Sequence, residues 1–530
     1  LLNHKGTLPG NAGATRLARS RGGPWAAQTG GPRGPPTRRA FFARTFAGPI
    51  YLFVVLRFFK SSLPAQLLVL LVLVLALRLP LLWLGLPLTA AELRLLLLGE
   101  GVAAGAWPYR DLYDGTAPLA AAAAGLLELA WSRPVLLYRA AALGLLLVQA
   151  LRFNAVLNRA DVHPERGYLA ALTYLVVGSL SADLDALSPL LIGHTFIIFA
   201  LSALLPTSRE GYDNRRLFRA GFLVGLAALC YLPLALFVAL GLFAVLIFAA
   251  NSFRSSLLLV CGFLSPYALL ATVFLYVGAL PNFGWMHLER GFGAPLAAAD
   301  ALPPAVAWPL LGGTAGLLAL ALLRASGTAL GLVFQTKFRQ LMLVWLLVAL
   351  AVLAVGRGLA PGSLLLLLPP LAYLSLFLWQ RLPGQLGWAP ELLFALMVGL
   401  TVVLRYRDLV PGLPGLLHLP AESAFAPQPN PAYRRLAAGQ PVLVLGPDRR
   451  PYLTHPAARP YLDWPLAATD FDHLTEYAAV VRVARSLGPH PPTYLIDQAG
   501  LLPRLRYLLP GVFGRYEPVS GVPQAYQLKK

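Results

Sequence analysis

Glu92, Asp111 and Asp114 are carboxylates of the kind a group-transfer reaction uses, and Tyr109 and Arg110 sit among them. All lie between Thr89 and Pro118, a stretch that also holds Arg94, Glu100 and Tyr113. No Asp or Glu precedes Glu92, and then four acids fall within 23 positions. A carboxylate at a membrane face can act as general base towards an acceptor hydroxyl. A neighbouring guanidinium can grip a phosphate through two parallel N–H bonds. The plainer alternative is a solvated loop in which Arg110 pairs with Asp111 or Asp114.

Three further groups have usable chemistry. Asp183 and Asp185, near Ser188 and His194, form an Asp-x-Asp pair that can bind a divalent cation through hard oxygens; a hydrated turn needs the same residues. His194 falls inside an apolar run, where an ionisable group is a functional candidate or a hydrogen-bonding partner for a neighbouring helix. His287, Glu289 and Arg290 follow Trp285 and can line a substrate groove, although Trp at headgroup level is also a membrane anchor. Arg357 lies where topology disfavours a positive charge. It can meet a lipid phosphate or snorkel to headgroups.

The elements that position these residues are membrane spans. The chain has 530 residues, 57% hydrophobic and 12% charged, with mean hydropathy +0.65. Soluble domains carry about 25% charged residues. Apolar runs of roughly 18–22 residues recur, the mark of a polytopic membrane protein. The net charge of +20 does not imply a nucleic-acid partner: 38 of the 43 basic residues are Arg, spread over loop ends, as cytoplasmic loops require. Cys230 and Cys261 sit in apolar runs, so they are packing residues and no disulfide framework is expected. No P-loop, His-Glu-x-x-His, clustered Cys/His or Gly-x-Ser-x-Gly pattern is present.

Residues 1–50 are rich in Gly, Pro, Arg and Ala and read as a disordered or spurious N-terminal extension, with an over-extended or truncated start. Residues 1–60 hold ten Lys/Arg and no acid, which places this end in the cytoplasm. Spans are expected at about 66–86, 134–151, 167–180, 190–206, 217–233, 234–250, 256–278, 304–322, 340–356, 362–380 and 388–404. Leu119–Trp131 is apolar but reaches only about 20 Å as a helix, against about 30 Å of hydrocarbon. It is expected to lie at the membrane face. Loop 87–133, the turn at Asp183 and Asp185, and loop 281–303 then face outward. The tail, 405–530, carries 14 basic and 9 acidic residues and alternates short β-like runs (Val442–Leu445, Tyr494–Ile496) with helical ones. The expected fold class is an all-α polytopic membrane protein of about 11 transmembrane helices with a small C-terminal extracytoplasmic α/β domain.

The segment Gly105-x-x-Pro108-Tyr109-Arg110-Asp111-Leu112-Tyr113-Asp114-x-x-x-Pro118-Leu119, with acid upstream, resembles the first external loop of GT-C membrane glycosyltransferases. It is most similar to glycosyltransferase family 39, the protein mannosyltransferases and aminoarabinose transferases. The resemblance implies many spans, a C-terminal extracytoplasmic domain, a polyprenyl-phosphate-linked sugar as donor and inversion at the anomeric carbon. The family's Asp-Glu pair matches Ala91-Glu92, and its loop Lys matches Thr116 or Ala117. Pro441–Gly446, Pro492–Asp497 and the Tyr516 region are similar to the tails of such transferases. Leu56–Ser62 and Leu187–Phe196 also resemble uncharacterised multispanning membrane proteins of Bacteroidota.

The resemblance implies an integral membrane glycosyltransferase of the bacterial inner membrane, moving sugar to an extracytoplasmic lipid, glycan or protein acceptor. Glu92, Asp111 or Asp114 would be its base. Tyr109, Arg110, Asp183, Asp185, His194, His287, Glu289, Arg290 and Arg357 would line the substrate site. A divalent cation at Asp183 and Asp185 is the one cofactor in question. The alternatives are a non-catalytic scaffold or lipid-handling protein with the same fold, and a transporter. Few charges lie within the spans, which disfavours the last.

Overall fold

Apolar helices dominate because each span must satisfy its own backbone hydrogen bonds. The computed structural model describes residues 52–61, 63–130, 133–163, 166–205, 214–249, 252–291, 304–355, 361–380, 387–419, 426–437, 439–487 and 491–529. The expectation for residues 1–50 therefore lies outside the described residues. The helices are α1 (Leu52–Phe58), α2 (Pro64–Leu84), α3 (Ala90–Ala103), α4 (Pro118–Glu128), α5 (Val135–Arg159), α6 (Leu169–Val177) and α7 (Pro189–Leu204). There follow α8 (Asn214–Cys230), α9 (Phe237–Phe248), α10 (Ser252–Val277), α11 (Pro304–Ser326), α12 (Val333–Val355), α13 (Leu368–Leu378) and α14 (Ala389–Arg405). Among the described residues, α2, α5, α10 and α12 are long and apolar enough to cross a membrane. The other expected spans also carry helices, but α6 has only 9 residues and α13 only 11.

Polar contacts sort the connections into two ends. At one, the Tyr168 N–H donates to Phe59 O at 2.8 Å, Gln335 to Asp161 O at 3.1 Å, and Arg339 to Thr328 O at 2.9 Å. Gln380 meets His163 there at 2.9 Å. At the other end, the loop after α2, the loop after α10 and the tail pack on one another. Helix α4 begins and ends there: Gly115 lies beside Leu466, and Arg133 donates to Tyr452 O at 2.9 Å. Trp83 and Tyr276, each 94% exposed, close α2 and α10 at this end, where interfacial aromatics belong.

Close approach of α8 and α10 depends on missing side chains. A Cβ on Gly221 would collide with Leu259 O, and one on Gly262 with Phe218 O. Gly221-x-x-x-Gly225 is the small-residue spacing that lets membrane helices touch through their backbones. Polar groups lock other helices: Gln149 of α5 donates to Leu191 O (2.9 Å) and Thr195 Oγ1 (2.7 Å) of α7, and accepts from Tyr174 of α6 at 2.8 Å.

The tail forms a mixed sheet in the order β1-β2-β4-β3. Strand β1 (Val442–Leu445) pairs in parallel with β2 (Tyr494–Asp497). Between them run α15 (Trp464–Asp472) and α16 (Tyr477–Leu487). After β2 come α17 (Leu502–Leu508), β3 (Tyr516–Pro518) and β4 (Ala525–Leu528). The Asp497 carboxylate ends β2 and caps the start of α17, accepting from the N–H groups of Leu501 and Leu502 at 2.8 Å each.

Candidate functional site at the joint of first loop and tail

Helix α3 starts with a capping box. Thr89 Oγ1 accepts from the Glu92 N–H (3.1 Å) and the Glu92 carboxylate accepts from the Thr89 N–H (2.9 Å), which together hold two otherwise orphaned donors. The same carboxylate takes two bonds from Arg139 of α5, at 2.9 and 3.0 Å. Arg139 also donates to Leu86 O and Pro87 O. Glu92 is 3% exposed with both oxygens engaged. It fixes the entry to the loop.

Two residues on, Arg94 points away from Arg139's side of the helix towards the loop and tail. It makes a two-point contact with Asp114, Nε to Oδ2 at 3.1 Å and Nη2 to Oδ1 at 3.2 Å. Its Nη2 also donates to Asp463 Oδ2 at 2.8 Å. Arg449 approaches the other oxygen of Asp463 at 3.5 Å. Two carboxylates and two guanidiniums thus meet where the first loop abuts the tail. The backbone holds them there: the Tyr113 N–H donates to Pro460 O (2.8 Å) and the Asp463 N–H to Tyr113 O (3.2 Å).

The two carboxyls are displaced in opposite directions. Burial opposes ionisation of Asp114, but Arg94 and the Thr116 hydrogen bonds outweigh it and hold the carboxyl below the usual aspartate range. For Asp463, burial wins, and the Asp114 charge adds to it, over the pull of Arg94 and Arg449; its carboxyl is raised. Paired carboxyls driven apart in this way can divide base and acid roles.

Asp111 and Arg110 form a separate, more exposed pair with two bonds of 2.9 Å, and Asp111 also accepts from the Trp107 N–H. Burial raises the Asp111 carboxyl, but the bonds from Arg110 and Trp107 bring it below its ordinary value. Tyr109 points the other way, fully buried, with φ at +65°. Its hydroxyl donates to Thr116 O at 2.8 Å, and its ring packs against Phe274 and Phe283 at 5.4 and 5.7 Å. Asn282 donates to Tyr109 O at 2.9 Å. Tyr109 therefore joins the first loop to the loop after α10.

In that loop, His287 is buried, stacked 5.2 Å from Phe283, and burial pushes its pKa down to about 4. Glu289 is exposed, and Arg290 lies over the Trp285 ring at 5.0 Å. Asp185 is held by Arg78 at 2.8 Å and Arg405 at 2.6 Å, so both its oxygens face guanidiniums. Asp183 lies on a short 3-10 turn capped by Ser181. Among the described residues, no group of three or more His, Cys, Asp or Glu is placed to hold a metal. His194 is buried in the helix bundle, with Nδ1 3.0 Å from Gln149 Oε1. Arg357 lies outside the described residues.

Arg94 stood in the sequence beside the candidates, but Asp463 and Arg449 had no visible link to them. One signal was available: Asp463 immediately precedes Trp464-Pro465, a helix start. As a sequence, the chain matches no described protein family and no curated protein. Two solved structures share part of its backbone course. One is the Archaeoglobus fulgidus oligosaccharyltransferase in the apo form, at TM-score 0.47 and 12% identity over 89% of this chain and 73% of that one. The other is the archaeal oligosaccharyltransferase AglB from Archaeoglobus fulgidus in complex with an inhibitory peptide and a dolichol-phosphate, at TM-score 0.43 and 13% identity over 85% and 70%. TM-scores this low do not establish a common fold.

Proposed function

We propose that this chain is a membrane glycosyltransferase of GT-C type, moving a sugar from a polyprenyl-phosphate donor to an acceptor at the face where first loop and tail meet. One observation carries the reading. The Pro108–Asp114 segment, which resembles the GT-C loop, presents Asp114 to Arg94 and to a second, oppositely displaced carboxyl on the tail. Asp114 is the base towards the acceptor hydroxyl. Arg110, on the exposed side of the loop, and Arg357 are candidates to meet the donor phosphate, and Asp111 orients Arg110. The face bearing the tail is extracytoplasmic, and the basic loops at the other end are cytoplasmic, in a bacterial inner membrane.

A second reading has its own observation. Glu92, Asp111 and Asp114 are each already paired with an arginine, and Ala91 stands where the family has Asp. A non-catalytic scaffold or lipid-handling protein built on this frame would look the same.

Sugar transfer from a labelled polyprenyl-phosphate donor pool separates the two. Membranes holding the chain should transfer label, and Asp114→Asn at equal protein level should lower the rate about 10²–10⁴-fold, the range for a general base. Transfer unchanged in Asp114→Asn removes Asp114 from the mechanism. No transfer from any polyprenyl-phosphate sugar supports the non-catalytic reading.

A further inference from the structure

Asp463 has an unusual position for the use it makes of its side chain. It is the residue before α15, where an aspartate ordinarily accepts from the helix's first N–H groups, yet it makes no such bond. The carboxylate turns instead to Arg94 (2.8 Å), Arg449 (3.5 Å) and the backbone N–H of Gly115. Two guanidiniums and an amide from different parts of the chain converge on one anionic group. That is the donor set of an anion receptor, and guanidinium forks match phosphate oxygens as well as carboxylate oxygens.

The charge count favours an exchange. With Asp463 in place, Arg94 and Arg449 are balanced by Asp114 and Asp463. With its carboxylate withdrawn, the cluster carries one net positive charge. A place to withdraw to exists at the start of α15: Pro465 has no N–H, but the Leu466 N–H, now 3.2 Å from Asp463 O, can take the carboxylate as a cap instead. Arg449 is only loosely held, since Asp463 is its one hydrogen-bonded partner among the described residues and its side chain remains 15% exposed.

We propose that Arg449, with Arg94 and the Gly115 N–H, forms a phosphate receptor in which the Asp463 carboxylate is a built-in competitor that moves to cap α15 when phosphate enters. The polyprenyl-phosphate reading above enters only in naming the carrier of that phosphate, which Arg94 and Arg449 then hold in place of Arg110 or Arg357. The tail thereby controls access to the site through one residue, and Arg449 is a binding residue that the loop motif does not include.

Binding is measured on the full chain in nanodiscs, with a polyprenyl monophosphate in the bilayer, the matching polyprenyl alcohol as control, and inorganic phosphate in the buffer as a separate arm. The monophosphate should bind and the alcohol should not. Arg449→Ala should weaken binding about tenfold or more, as loss of a charge-assisted hydrogen bond does. Arg449→Lys, which keeps the charge without the fork, should fall between. Asp463→Asn should tighten binding several-fold, whereas a purely structural aspartate would leave it unchanged or weaker. Unchanged affinity in Arg449→Ala, weaker affinity in Asp463→Asn, or no binding by the unaltered chain overturns the proposal. Equal binding of inorganic phosphate identifies free phosphate as the ligand and leaves the receptor standing. The predicted binding pattern without sugar transfer would remove the transferase reading and keep this one.

Discussion

Nη2 of Arg94 lies 2.8 Å from Oδ2 of Asp463, a residue 369 positions further along the chain. This contact ties the first loop to the tail and also ties two titrations together. Asp114 titrates low, so its contribution to stability is present above the ordinary aspartate range of about 4 and is lost as pH falls below it. Asp463 titrates high, so the native state retains a proton there that the unfolded chain has lost. Stability from that group is present at low pH and is lost as pH rises through the raised value. Thermal unfolding of the purified chain between pH 3 and 7 should show both slopes. Asp114→Asn should remove the loss on acidification, and Asp463→Asn the loss on raising the pH. An Asp463→Asn variant that kept the wild-type profile would contradict the assignment.

The Glu92–Arg139 pair is buried, at 3% and 8% exposure. Removing one partner strands the other's charge or hydrogen-bonding groups. Glu92→Gln should therefore cost about 3–5 kcal/mol of stability, the range for breaking a buried ion pair. Adding Arg139→Met to it should recover most of that loss, because a long apolar side chain replaces the stranded cation. The pair of variants also decides the role of Glu92 in transfer. Activity lost in Glu92→Gln and regained in the double variant means that Glu92 holds the loop. Activity lost in both, at restored melting temperature, makes Glu92 a reacting group.

Asp185 gives a parallel test at a second cluster. Its carboxylate lies between Arg78 and Arg405, both 1% exposed at the side chain. Asp185→Ala leaves two buried guanidiniums on neutral carbonyl and hydroxyl acceptors alone and should destabilise by about 3–5 kcal/mol. A cation site at Asp183 and Asp185 predicts something different: a melting temperature that rises with added divalent cation and loses that response in Asp185→Ala. Metal-independent melting of the unaltered chain fits the arginine clamp.

Much of this organisation was legible in the chain. Among the described residues, the apolar runs located the four helices long and apolar enough to cross a membrane, and the helix Pro118–Glu128, within the short run that begins at Leu119, begins and ends at the same end of the bundle as the tail. The β-like runs Val442–Leu445 and Tyr494–Ile496 stood out in the chain, and the structure extends the second by one residue to Asp497. The partners of the charges did not stand out. Period and composition report which residues face apolar surroundings, but an ion pair such as Arg94–Asp463 or Arg405–Asp185 depends on how distant loops meet. Nothing within a few residues of either partner encodes it. His287 shows the converse. Its neighbours Trp285, Glu289 and Arg290 suggested a substrate groove; in the π-helical turn Gly284–Glu289 the buried imidazole stacks on Phe283 while Glu289 is exposed.

The crossing of α8 and α10 supplies a prediction free of charge effects. Gly221 faces the Leu259 carbonyl so closely that no side chain fits, and Gly262 faces Phe218 O in the same way. Gly221→Leu should push the helices apart, at a cost of at least about 1–3 kcal/mol for overpacking. A matched control lies in α5: nothing stands within 4 Å of a Cβ built on Gly144. Gly144→Leu should change stability by no more than about 0.5 kcal/mol, as open positions do. The comparison isolates sterics, since both changes add the same apolar side chain to a helix with few polar neighbours. Because Leu229, in the last turn of α8, shares one apolar cluster with Tyr109, Phe283 and the tail's Leu443, a displaced α8 should also loosen the joint between first loop and tail. Proteolysis should then cut the 405–430 connection faster in Gly221→Leu and not in Gly144→Leu. Equal melting temperatures for the two variants would show that the helices can part without cost.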